Sequence, residues 1–145
     1  MGQQQLLLIV LGVIIVGIAV VVGINVFTSS AQNSNRDLVV SQLTNLGAAA
    51  QQYFRKPEAL GGGGNSFSKF TLNSADIENA AGNFALSASA VTALTAVTAS
   101  ADSVSGVTTT IYIVGSGTEI GNDDENPVKA LATVTRDDIT TTILN

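Results

Sequence analysis

The hydrophobic pattern divides the chain into two unlike parts. From Leu6 to Ile24 every residue is Leu, Ile, Val, Ala or Gly, and no charged side chain occurs before Arg36. A run of this length spans a bilayer when helical. Burying one Leu, Val or Ile side chain is worth roughly 1.5–3 kcal/mol, so the run as a whole favours leaving water by something on the order of tens of kcal/mol. Its shelter must be lipid, a protein core or a bundle of copies of itself.

The pattern then changes period without a break. After a polar patch at Thr28 to Asn35, the residues Val39, Leu43, Leu46, Ala50 and Tyr53 recur at spacings of 4, 3, 4 and 3. That spacing places them on one helical stripe, which suits helix-to-sheet packing. The first proline is Pro57, and the residue before a proline is a common helix boundary. One helix is therefore predicted from about Gln3 to Arg55, roughly 80 Å long at 1.5 Å per residue. Its first half is apolar all round. Its second half packs on a domain from one side only.

Beyond the helix the period shortens to two. Gly61-Gly62-Gly63-Gly64 reads as a loop tip or hinge, because glycine gives up the most backbone freedom when fixed. Phe67 to Leu72 alternates like a short strand, and Phe84 to Ala90 places Phe84, Leu86 and Ala88 on one face. Val91 to Ala99 fits helix and strand equally. Val107 to Val114 is the clearest strand, while Val128 to Thr135 and Ile139 to Leu144 read as a hairpin around Arg136-Asp137. β-Branched and aromatic residues favour such a pleated, half-buried surface. The predicted fold class is α+β: a long N-terminal helix on a small antiparallel sheet of about four or five strands. The regions are a core helix over 1–56, a Gly-rich connection over 57–66 and a β-rich globular domain over 67–145.

Composition narrows the chemistry. The chain has no Cys, no His and no Trp. It therefore lacks thiol catalysis, disulfides, and the commonest general base and transition-metal ligand. Charged residues make up 12% and the net charge is −5, whereas a nucleic-acid surface needs a clustered excess of Lys and Arg. No nucleic-acid partner, cofactor or enzymatic activity is expected. With 5% aromatic residues the chain carries too few rings for electron conduction.

Taken together, the polar start Gly2-Gln3-Gln4-Gln5, the run LLLIVLGVIIVGIAVVVGINVF and the continuation QLTNLGAAAQQYF resemble the type IV pilin superfamily of pilins and secretion-system pseudopilins. The specific resemblance covers about the first 56 residues, and beyond them it is architectural. It implies a subunit that resides in the inner membrane as a single-pass helix. It further implies that assembly machinery then polymerises the subunit into an extracellular filament at the cell surface. Identical subunits would pack through Leu6, Leu7, Ile9, Val10, Val13, Ile14, Val16, Ile18, Val21, Val22 and Ile24. The family usually carries Glu at the fifth mature position, where it neutralises a neighbour's terminal amine. Counted from Met1 this chain has Gln5 at that N-terminal registration position, and an amide supplies hydrogen bonds but no charge. The family's basic leader would then have been removed before Met1 or left out of a sequence given as mature, and the proline the family often carries late in the apolar run is absent. Gly12, Gly17 and Gly23 each cost a helix about 1 kcal/mol relative to Ala. We read them as small residues that let helices approach closely.

Several segments carry residues of possible chemical use. Gly121-Asn122-Asp123-Asp124-Glu125-Asn126-Pro127 gathers three acids. Asp123, Asp124 and Glu125 make a weak calcium candidate, since the spacing departs from the twelve-residue calcium loop, and a solvated acidic turn is the simpler reading. Asp76 and Glu78 suit a helix N-terminal turn after Ser74 better than a catalytic pair. Arg36-Asp37 and Arg55-Lys56 either pair with acids of neighbouring subunits or are exposed charges of little energetic value. The glycine run lacks the following Lys-Ser/Thr of a phosphate loop, and no Asn-x-Ser/Thr acceptor site occurs.

Two readings stay open: the filament subunit, active in adhesion or mechanics, and a membrane-anchored minor pseudopilin or surface binding module that forms no long fibres. A cleaved secretory signal fits less well, because its apolar core is 7–15 residues long and follows basic residues. A carboxylate enzyme would have to join Asp76, Asp102 and Asp123, and nothing in their spacing suggests it.

Overall fold

With no proline before Pro57, the N-terminal third of the chain forms one uninterrupted helix, α1 (Gly2–Arg55, 54 residues). The computed structural model describes residues 2–92, 104, 106 and 109–145. After α1 come a 3-10 turn (Glu58–Leu60), a one-turn helix α2 (Ser74–Ile77) and five strands. These are β1 (Glu78–Asn79), β2 (Gly82–Ser87), β3 (Thr110–Ile120), β4 (Pro127–Thr135) and β5 (Ile139–Ile143). They form one antiparallel sheet in the order β1-β2-β3-β4-β5. The fold is α+β, a long helix on a five-stranded antiparallel sheet.

The helix ends because the glycine run caps it. The last carbonyls of a helix have no partner inside it. Here Gly63 N–H donates to Tyr53 O at 2.8 Å, Asn65 N–H to Phe54 O at 2.8 Å and Gly64 N–H to Lys56 O at 3.0 Å. Gly61 and Gly64 adopt φ of 78° and 54°, which costs glycine little. A Cβ at Gly62 would collide with the Lys56 carbonyl oxygen, and one at Gly63 with the Ser66 carbonyl oxygen. The four glycines form a tight cap as well as the connection the sequence suggests.

The core lies between the C-terminal half of α1 and one face of the sheet. Val39, Leu43, Leu46 and Ala50 of the stripe are buried, and Phe54 joins them. Tyr53 is half-buried, its ring 5.4 Å from that of Phe70. Phe54 stacks at 4.7 Å on Phe67. The sheet contributes Phe84 and Leu86 from β2, Ile111 and Ile113 from β3, and Ala130, Ala132 and Val134 from β4. Register puts these on one face: Phe84 opposes Gly115, Ile113 opposes Ala132 and Ile111 opposes Val134. The opposite face is also covered at its centre, where Ala85, Val114 and Leu131 are buried.

Two sequence expectations need correction in detail. Phe67 to Leu72 is no strand. It turns on itself through Phe70 N–H to Phe67 O at 3.0 Å and buries Phe67, Phe70 and Leu72 together. A period of two cannot bury residues three apart on one face, so the turn wins over alternation. The central strand runs further than expected, through Gly115 and Gly117 to Ile120. Glycine in a strand marks close approach of another group: a Cβ at Gly115 would lie 2.7 Å from Phe84 Cε1 and 2.9 Å from Val39 Cγ1. The segment from Val91 to Ala99 lies outside the described residues from 93 onward, as do residues 107 and 108 at the expected start of that strand.

Candidate functional site

The first half of α1 contributes nothing to the core. From Leu6 to Phe27 its large apolar side chains are all exposed, from 47% at Val10 to 80% at Phe27. An 18-residue window of the helix reaches a mean hydropathy of 3.3 with none of it buried. By length and composition the helix is able to cross a membrane. Soluble monomers rarely expose contiguous apolar patches above a few hundred Å², and a rod apolar on all sides marks a surface that meets lipid or protein. Leu6, Leu7, Ile9, Val10, Val13, Ile14, Val16, Ile18, Val21, Val22 and Ile24 all stand on it. Gly12, Gly17 and Gly23 have no atom within 4 Å of a Cβ built on them. Each leaves a notch in the exposed surface.

The exposed half ends at a polar belt that ties the helix to the sheet. Thr28 Oγ1 donates back to Ile24 O at 3.0 Å, a bond to the carbonyl four residues before it that threonine commonly makes within a helix. Gln32 Nε2 donates to Gly121 O at 3.3 Å. Asn35, 5% exposed, makes the central contact. Its Nδ2 donates to Ala81 O and Thr118 Oγ1, both at 3.2 Å. Its Oδ1 accepts from Thr118 N at 3.1 Å and Glu119 N at 3.3 Å. This occurs where β3 slips register between Ser116 and Ile120, so the side chain takes backbone groups that the bulge frees. A Cβ at Gly117 would collide with Asn35 Oδ1.

The next residue, Arg36, donates to Asn33 Oδ1 at 3.0 Å and Asn145 O at 3.2 Å. Asn145 in turn accepts from Lys129 N at 2.7 Å and donates to Pro127 O at 3.1 Å. Arg55 meets Asp137 at 3.9 Å and Arg136 O at 3.2 Å. The ion pair, with side chains 63% and 78% exposed, adds little stability. Lys129 is buried on the sheet face away from α1, and that burial holds its ammonium below the usual lysine value.

The acidic loop is organised by hydrogen bonds within the chain. Asp123 accepts from Asn126 Nδ2 at 2.7 Å, Asn126 N at 3.1 Å, Glu125 N at 3.4 Å and Asn145 Nδ2 at 3.3 Å. The Asn126 side chain, then its backbone N–H, hold the Asp123 carboxyl below its ordinary value. Asp123, Asp124 and Glu125 do not converge, and among the described residues no group of three His, Cys, Asp or Glu is placed to hold a metal. Asp76 sits in α2 and accepts from Asn73 Nδ2 at 3.3 Å. Asp102 lies outside the described residues.

Asn35, Gly117 and Asn145 were not singled out from the sequence. The signal for Asn35 was present: it stands four residues before Val39, on the same stripe as the core. Comparison with protein-family models, characterised proteins and solved structures gives no match to this chain.

Proposed function

We propose that this chain is the structural subunit of an extracellular filament of the type IV pilus kind. The subunit waits in the inner membrane as a single-pass helix. The assembly machinery then packs it with identical subunits through Leu6 to Ile24, leaving the β-domain on the outside. The observation that carries this reading is one continuous helix with two environments: its first half wholly exposed and apolar, its second half docked on its own sheet. A rod of that kind has shelter only in lipid or among its copies. The head-to-tail contact it would make is heterologous and does not close, so it extends as a fibre. Gln5 stands where it would set register by amide hydrogen bonds. The order of polar start, apolar run and amphipathic continuation supports the same reading.

The test is Val13→Asp or Ile14→Asp, with negative-stain electron microscopy of cells expressing the chain. An unpaired charge in an apolar bundle carries a large desolvation cost, so fibres are expected to disappear while the folded β-domain persists. Fibres of normal number and length in both variants would overturn the proposal. A wild-type chain that forms no fibre and purifies as a detergent-held monomer would identify the anchored, non-polymerising module instead. The length of the apolar run, sufficient for one crossing, favours that alternative.

A further inference from the structure

At the far end of α1 the cap encloses a cleft of ≈ 500 Å³, lined by Tyr53, Glu58, Gly61, Gly62, Gly63, Ser68, Lys69 and Thr71. That volume falls within the ordinary range of small-molecule sites, about 300–1,000 Å³. Phe27 and Tyr53 are 26 residues apart, or about 39 Å along the axis. The cleft thus lies well beyond the apolar half.

The walls are built from opposite kinds of group. The glycine wall has spent its N–H groups of Gly61, Gly62 and Gly63 on Glu58, Pro57 and Tyr53 carbonyls. Its Gly63 carbonyl accepts from Ser66 N–H at 3.1 Å, and beside it stands Glu58, whose side chain lies 2.8 Å from a Cβ built at Gly64. The other wall brings the Ser68 and Thr71 hydroxyls and the Lys69 ammonium. The Tyr53 ring also lines the cleft, in contact with the ring of Phe70. The ion pairs among the described residues are Arg55–Asp137 and Arg136–Asp137, so Glu58 and Lys69, which both line the cleft, form no ion pair with each other. The side chains of Tyr53, Glu58, Ser68, Lys69 and Thr71 take no hydrogen bond from the described residues.

The geometry points to a binding site for a neutral polyhydroxylated ligand, a saccharide unit. One acid and one base give the lining no net charge and so no preference for an ion. Each sugar hydroxyl both donates and accepts, so one ring can serve the Glu58 carboxylate as acceptor and the Lys69 ammonium as donor together. The aromatic ring offers an apolar face. The site is separate from the assembly surface and does not rest on filament formation.

The test uses the full chain in dodecylphosphocholine micelles, a detergent without a sugar headgroup. Saturation-transfer NMR is run against glucose, galactose, N-acetylglucosamine and their β-linked disaccharides, with glycine and glutamate as zwitterionic and anionic controls. Saturation transfer to at least one saccharide is expected, with little to the amino acids. Glu58→Gln and Lys69→Met should each weaken that binding about tenfold or more, the order expected for a hydrogen bond to a charged partner. Tyr53→Phe, which keeps the ring, should weaken it less. Unchanged thermal unfolding in all three variants would assign these losses to the ligand. Saturation of no saccharide, preferential binding of the amino acids, or saccharide binding indifferent to Glu58→Gln and Lys69→Met would each overturn the assignment.

Discussion

Asn35 shows how one polar residue fixes a helix on a sheet. Its amide meets two backbone N–H groups, one carbonyl and one hydroxyl. Leucine there would leave the Thr118 and Glu119 N–H groups and the Ala81 carbonyl without partners. Asn35→Leu is therefore expected to cost about 3 kcal/mol, since each unmet buried group costs about 1–3 kcal/mol. Chemical denaturation in micelles reads this directly. Gly117→Ala should act through the same contact, because its Cβ would displace the Asn35 amide. The double variant should then lose clearly less than the sum of the two. Asp123 carries a pH dependence. Its carboxyl is held below the ordinary value of 3.8, so the folded state favours the ionised form. That stabilisation is present above pH 4 and is lost as pH falls through the lowered value. Asp123→Asn should be less stable than wild type at neutral pH, and acid titration of unfolding should bring the two together. Period placed Asn35 on the packing stripe but identified none of its partners, because a hydrogen bond between segments distant in sequence leaves no periodic trace.

The elements were legible where a long period repeats. The 4-3-4-3 spacing of α1 points at the face that packs on the sheet, and Val128 to Thr135 with Ile139 to Leu144 read as the hairpin that β4 and β5 form. Legibility failed where the segment was short. Phe67 to Leu72 alternates too briefly to tell a strand from a turn. In Gly115-Ser116-Gly117 the absence of a side chain reads as an interruption, although it permits Val39, Phe84 and Asn35 to approach. The glycine cap was legible as a connection, but not as the partner of the last helical carbonyls. Gly62→Ala and Gly63→Ala should each destabilise the domain by about 1–3 kcal/mol through backbone collision, seen as a lower thermal midpoint. A true flexible linker would accept both without change.

At the scale of the whole molecule, apolar side chains are divided between two tasks by the length of one helix. Leu43 is 0% exposed and Leu7 is 68% exposed, although both are leucines of α1. Leu43→Ala should cost about 2–5 kcal/mol of domain stability through lost burial and a cavity. Leu7→Ala should change domain stability by less than about 0.5 kcal/mol. Any effect of Leu7→Ala should appear in membrane partitioning or self-association. Denaturation of both variants beside a sedimentation measurement separates the two tasks. The sequence announced this division through its change of period after Thr28. It did not disclose the amide belt at the boundary or the second buried face of the sheet, because both depend on strand register.

The 54 residues of α1 form a single arm. An arm of roughly 80 Å magnifies rotation at its root: a tilt of about 10° sweeps its tip through roughly 14 Å. Small differences in how neighbouring stems nestle would thus become large displacements of the outer domains, making any fibre built this way springy in bending while each subunit stays undeformed.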